Sequence, residues 1–179
     1  MSVVVVMKTD DEHILVADSA MSTPSFVNIK AGVKIHRIGE DVILGFCGNP
    51  EVLTMFKAHV QENPIGAVET FDESRAYAYM SDFYDYIGTK GFSVMGESAE
   101  NFEVAIITPW RILVIERYFV QEVENYFAIG SGDEVAKSAL HLGKSAEEAA
   151  TVACELTPWC SLPLTTCRIQ RKHNHDENK

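Results

Sequence analysis

Val3 to Lys8 is an unbroken apolar run dominated by valine, the pattern of a strand buried on both faces. Thr9-Asp10-Asp11 reads as a turn, and His13 to Ala17 resumes the strand pattern. Ser22 to Lys30 is polar and contains Pro24, so it is expected to be a loop. Val33 to Ile38 and Val42 to Phe46 flank Gly39-Glu40-Asp41 and predict a hairpin. Helical spacing follows. Asn49 is placed to cap a helix with Pro50 at its first position, and Val52, Leu53, Phe56 and Val60 recur along one face. A second helix is predicted from about Asp72 to Ile87, with Ala76, Met80, Phe83 and Ile87 on its apolar side and Gly88 and Gly91 beyond its end.

The second half repeats this grammar. Glu103 to Thr108, Ile112 to Glu116, Tyr118 to Val123 and Tyr126 to Ile129 read as strands, the first two joined by a Pro109-Trp110 turn. Ser131 precedes Glu134 by three residues, and Ser145 precedes Glu148 by three. Both are capping-box patterns. The helices they open are alanine-rich (Ala136, Ala139, Ala146, Ala149, Ala150, Ala153), which permits close approach to a neighbour. Pro158 and Pro163 stop the second, and Leu164 to Ile169 predicts a last strand. Strands, two helices, strands, two helices and a strand lack strict βαβ alternation, so the expected class is α+β with antiparallel sheets.

At 179 residues the chain is one domain, expected over 1–170, with a polar tail from Arg171 to Lys179. A formal net charge of −11 argues against nucleic-acid binding, which calls for a basic face. Cys47, Cys154, Cys160 and Cys167 form no CxxC pair and no zinc spacing, and read as small apolar filler. The N-terminal apolar run has no basic leader and is too short to span a bilayer. A cytoplasmic protein with no membrane role is the expectation. His173-Asn174-His175-Asp176 reads as a solvated tail rather than a metal site, and the stripe Tyr77, Tyr79, Tyr84, Tyr86 as packing.

Chemistry concentrates elsewhere. Ser2 follows Met1 and is small enough for routine methionine removal, so the mature chain is expected to start at Ser2. One residue would then carry both a hydroxyl and an α-amine titrating near pH 8, a nucleophile with its own base. Asp18, Lys34, Gly45 and Ser131 are candidates to join it. Each also has a simpler reading, as strand-end turn former, edge-strand lysine, close-approach glycine and helix cap respectively.

Together they resemble the proteasome β-subunit and HslV group of N-terminal-nucleophile hydrolases. Counted from the mature first residue, the family's aspartate falls on Asp18 and its lysine on Lys34, within Val33-Lys34-Ile35-His36-Arg37. Gly45-Phe46-Cys47-Gly48 matches its Gly-x-x-Gly, and Ala128-Ile129-Gly130-Ser131-Gly132 its Gly-Ser-Gly segment. The resemblance implies a four-layer αββα sandwich and peptide-bond hydrolysis. In this scheme Ser2 attacks, its amine accepts the proton and Lys34, paired with Asp18, supplies positive charge. Gly45 donates its N–H to the oxyanion and Ser131 orients the amine. Ser22 would bind substrate backbone, and Ala20 and Cys47 would line a modest apolar pocket.

Two departures stand out: serine replaces the usual threonine, and Glu155 and Thr157 compete for the family's amine-supporting carboxylate. The chemistry needs no cofactor. The monovalent cation often bound in the family has no assigned position here, so no metal ligand is named. A homo-oligomeric ring, a polypeptide substrate and an unfolding ATPase partner are implied. Two other readings remain at this stage: a non-catalytic ring subunit that keeps Met1, and an amidase acting on small amides.

Overall fold

The structure is a computed structural model that describes residues 2–23, 26–28, 33–91 and 102–173. In chain order the strands are β1 Val4–Lys8, β2 Glu12–Ala17, β3 Met21–Thr23, β4 Phe26–Asn28, β5 Ile35–Ile38 and β6 Val42–Gly48. Two helices follow, α1 Pro50–Glu62 and α2 Glu73–Thr89. Then come β7 Phe102–Ile107, β8 Ile112–Glu116, β9 Phe119–Glu122 and β10 Tyr126–Ile129, helices α3 Asp133–His141 and α4 Ala146–Leu156, and β11 Thr165–Gln170.

The valine run explains the layering. Alternate side chains of a strand point to opposite faces. Val4 and Val6 face a second sheet, in a cluster with Leu15, Ile43, Ala105 and Ile107. Val3 and Val5 face the other way, into a cluster with Ala136, Ala149, Ala150 and Ala153 of α3 and α4. The first sheet, in the order β10-β1-β2-β11, is therefore apolar on both faces. The second, β5-β6-β7-β8-β9, is too. Its outer face carries Leu44, Phe46, Val104 and Leu113 against α1 and α2. Both sheets are antiparallel throughout. Helix pair, sheet, sheet and helix pair make the expected four-layer αββα sandwich.

Local signals account for most boundaries. Asn49 caps α1 by accepting the Glu51 N–H at 2.8 Å, and Asp72 caps α2 by accepting the Arg75 N–H at 2.9 Å. The Ser145–Glu148 capping box forms with both reciprocal bonds. The Ser131–Glu134 box does not. Gly132 is the cap of α3 and no side chain bonds there, because the preceding corner is committed to packing on Ser2. The segment Ser22 to Lys30, expected to be a loop, contains the small hairpin β3–β4, with Ser22 opposite Val27. Strands of three residues are too short to leave a periodic trace in the sequence. Near the C-terminus, the Arg171 N–H bonds Asp11 O and the Lys172 N–H bonds Pro109 O, each at 2.8 Å, so the chain stays tied to the domain through Lys172. Residues 174–179, with His175 and Asp176, lie outside the described residues. All four cysteines are free. No described helix is long and apolar enough to cross a membrane.

Two features of the space between the sheets carry measurable consequences. Gly45 lies where Leu15 and Val4 of the first sheet pack directly on the backbone of the second. A Cβ there would sit 2.7 Å from Leu15 Cδ1 and 2.8 Å from Val4 Cγ1. At the other end of β2, the Nδ1–H of fully buried His13 donates to Thr108 O at 2.7 Å, while its Nε2 has no partner. Burial lowers its pKa from 6.5 to about 4; the Thr108 bond opposes the shift, and nearby Arg171, Lys8 and His173 add to it.

Gly45→Ala should cost about 1–3 kcal/mol in denaturant unfolding, because both sheets must shift to admit the methyl group. An unchanged midpoint would show that the layers are looser than described. His13 takes up its proton more readily when unfolded, so its contribution is present above pH 6.5 and is lost as pH falls toward 4. It amounts to about 3 kcal/mol. Unfolding curves across pH 4–7 should lose that part of their slope in His13→Gln, whose amide can still donate to Thr108 O.

Candidate active site

The site forms at the open end of the sandwich where β1 begins and β2 ends. Asp18 follows β2 directly, its side chain fully buried. One carboxylate oxygen, Oδ1, accepts the Val3 N–H at 2.9 Å and the Lys34 ammonium. The other, Oδ2, accepts the Ala20 N–H at 2.9 Å and the Ser161 N–H at 3.0 Å. Four donors meet one carboxylate, which is how a buried charge becomes tolerable. The Asp18 N–H returns to Val3 O at 3.2 Å. The register of Ser2 against this carboxylate is thus set from both sides of Val3.

Lys34 stands just ahead of β5, and its carbonyl accepts the Phe46 N–H at 3.0 Å. Only 7% of the residue is exposed, and that part opens on a small cleft. Ser2, 95% buried, borders the same cleft, together with Ala20, Cys47, Gly48, Asn49 and Leu53. Its volume is about 30 Å³, close to one water's share of the liquid. The first turn of α1 reaches its edge through Pro50, so the positive end of that helix is directed at the cleft.

The corner before α3 covers Ser2 from the other side. The Gly132 N–H bonds Ser2 O at 3.1 Å. Gly130 has φ +92°, and a Cβ there would lie 2.5 Å from Ser2 O and 2.6 Å from Cys47 Sγ. A Cβ on Gly132 would meet Cys160 Sγ at 2.6 Å. Both glycines are required by close approach. Ser131 between them is exposed at this corner. Burial pushes the Cys47 thiol up, reinforced by the charges of Glu103 and Asp18 and opposed by Lys34, and its Sγ faces Ile129 O at 3.5 Å. A thiol held neutral in this way does not compete as a nucleophile.

The structure therefore brings Ser2, Asp18, Lys34, Ala20 and Cys47 to one place, with Ser131 on the corner above. Gly45 does not join them. It is packed between the sheets on Leu15 and Val4. Antiparallel ladders also alternate the direction of successive N–H groups. Phe46 directs its N–H to Lys34 O on the β5 side, so Gly45 directs its own to β7, where it sits opposite Ala105. Gly48 has the parity of Phe46, lies on the cleft and has φ +110°. It is the glycine whose N–H can serve a bound carbonyl, and the sequence signal for it was the second glycine of the same Gly-x-x-Gly. Ser22 lies on β3, and its side chain is outside the described residues. Glu155 is exposed, and the Thr157 hydroxyl bonds Ala153 O at 2.8 Å as the helix cap, so neither supplies a carboxylate to Ser2. Ser161 was not among the candidates. It contributes a backbone N–H, for which side-chain identity leaves no trace. No group of three or more metal-ligating side chains is found among the described residues.

No family model matches the sequence, and no curated protein sequence matches it. Solved structures do match. BPH from Thiobacillus denitrificans superposes with a TM-score of 0.84 at 15% identity, covering 96% of this chain and 100% of that one. The same protein in complex with epoxomicin gives 0.82 at 17% identity over the same shares. Eukaryotic HslV from Trypanosoma brucei gives 0.73 at 17% identity, with 94% and 99% covered. Anbu, an ancestral beta-subunit from Yersinia bercovieri, gives 0.75 at 14% identity, with 94% and 82% covered. At these identities the likeness is one of fold: the chain has the four-layer αββα architecture of the proteasome- and HslV-like N-terminal-nucleophile hydrolases.

Proposed function

We propose that this chain is a peptidase that uses Ser2, exposed by removal of Met1, as an N-terminal nucleophile. The observation that carries the reading is the buried Asp18–Lys34 ion pair opening on the same cleft as Ser2. A lysine held this way has few uses in a core, and a fixed positive charge beside a serine oxygen favours the alkoxide-like transition state.

The α-amine of Ser2, directly or through one water, takes the hydroxyl proton as Oγ attacks a peptide carbonyl. The carbonyl oxygen becomes an oxyanion. The Gly48 N–H and the positive end of α1 are positioned to meet it, so the donor role moves from Gly45 to Gly48. The ammonium so formed on Ser2 gives its proton to the leaving nitrogen as the tetrahedral intermediate collapses, which releases the amine half of the peptide, restores the α-amine and leaves an ester on Ser2. Water then hydrolyses the ester with the α-amine again as base. Ser131 orients that amine, and Ser22 binds substrate backbone. Ala20 and Cys47, with Leu53, line a small apolar pocket for the substrate side chain.

The fold likeness to HslV and BPH supports three further parts of the proposal. The chain assembles into a homo-oligomeric ring, takes unfolded polypeptide as substrate, and receives it from an unfolding ATPase in the cytoplasm. A monovalent cation near the amine would assist without entering the chemistry.

Peptide hydrolysis should fall about a thousandfold or more in Ser2→Ala while assembly state and melting temperature stay unchanged. Lys34→Met should cost about a hundredfold in kcat, and about 3–5 kcal/mol of stability because Asp18 is left unpaired. Both are read from fluorogenic peptide turnover beside thermal melts. Wild-type turnover in Ser2→Ala would overturn the assignment, and so would retained Met1 in an active oligomer; retained Met1 in an oligomer that hydrolyses no peptide would favour the non-catalytic subunit.

A further inference from the structure

Glu103 is a carboxylate on the inward face of the second sheet, a layer built mainly of apolar side chains. On β7, Phe102, Val104 and Ile106 face the helices, so Glu103, Ala105 and Ile107 face the first sheet. Glu103 lies opposite Cys47 on β6 and Glu116 on β8. Its side chain lines one groove with Ile129, Asp133 and Lys137, the Gly130 N–H lies close enough to draw its pKa down, and its Oε2 is buried with no hydrogen-bond partner. The residue is half-buried, yet this oxygen is sealed from water without a partner, which costs stability. On its own strand its neighbours on that face are Ala105 and Ile107. The group it does meet is informative. Gly130 is the residue that rests on Ser2 O and Cys47 Sγ, and two residues later Gly132 bonds the same Ser2 carbonyl.

We propose that Glu103 is a positioning residue for the nucleophile. Its ionised carboxylate anchors the Gly130 N–H and so holds the Gly130-Ser131-Gly132 corner against Ser2, in reach of the amine. This rests on the peptidase reading for its kinetic effect but not for its structural one. Burial raises the pKa of Glu103, the Gly130 N–H opposes that, Glu116 and Asp133 raise it further, and Lys137 lowers it. These are the charged groups that face it, from β8 and α3, while the nearby Cys47 thiol on β6 is neutral. Protonation would weaken the anchor, so the corner loosens on acidification at a pH above the usual carboxylate range. The α-amine must be neutral to act as base, so log kcat already falls with unit slope below its own pKa. Loss of a second proton-sensitive group steepens the fall to a slope approaching two.

The test compares wild type, Glu103→Gln and Glu103→Ala by kcat, KM, pH profile and amide hydrogen exchange at Gly130 and Gly132. Glu103→Ala should lower kcat about tenfold to a hundredfold with KM nearly unchanged, the scale of a small misplacement of reacting groups. It should also speed exchange at both glycine amides. Glu103→Gln keeps an acceptor oxygen but cannot titrate, so it should recover most of kcat and show unit slope down to acid pH. Unchanged exchange and an unchanged pH profile in Glu103→Ala would overturn the proposal. If the wild-type chain hydrolyses no peptide yet the exchange result holds, the peptidase reading fails and the positioning role stands. If the Ala variant unfolds, the Gln variant alone decides, through the acid slope and exchange at Gly130.

Discussion

The Asp18 carboxylate is the point on which the site depends. It gathers N–H groups from the start of β1, from its own turn and from the segment after α4, and it holds the Lys34 ammonium arriving from β5. These segments are far apart in sequence: Val3, Ala20, Lys34 and Ser161. Each bond is modest alone, but a buried carboxylate stripped of partners is costly, so the four are mutually enforcing. A charge that must be satisfied thereby fixes where Ser2 stands relative to Lys34. In the proposed reaction, function and fold share one constraint: the ion pair that ties the sandwich end together is the one that would supply positive charge at the cleft.

The second constraint is distance between layers. Gly45, Gly130 and Gly132 all sit where a single Cβ would collide, with Leu15, with Ser2 O and with Cys160 respectively. They serve the same end by different routes. Gly45 lets the sheets close, whereas Gly130 and Gly132 let a turn lie directly on Ser2. Gly48 differs, since its φ of +110° places it for backbone direction rather than for space. Glycines of one motif, Gly45 and Gly48, thus have separate tasks: one lies in the packed interior, the other at the mouth of the cleft.

Much of this was readable in the residues. The valine run announced a strand buried on both faces, which demands cover on each side; that the cover is a second sheet and a helix pair came from the family resemblance. Helix caps at Asn49 and Ser145 carry side-chain signatures and fall where expected, and Asp72, expected only as the approximate start of a helix, proves to be its cap. What escaped notice lacks such a signature. The β3–β4 hairpin is too short for periodicity. The start of α3 shifted to Gly132 because tertiary contact with Ser2 outweighs a local capping pattern. Ser161 acts through its backbone, which every residue possesses. Gly45 and Gly48 are alike in sequence and distinguished only by ladder parity. Glu103 looked like one polar position in an alternating strand, and only the first sheet, packed over that face of β7, shows that its polar side is an interior one.

The account comes down to a bare amine and a hydroxyl on Ser2, set beside Lys34. The most direct measurement is N-terminal mass mapping after treatment with an electrophile that must bond a hydroxyl and its own α-amine to form a stable ring. The account predicts a chain beginning at Ser2 with one adduct spanning both groups of that residue. A chain that still begins at Met1, or an adduct on any other side chain, would contradict it.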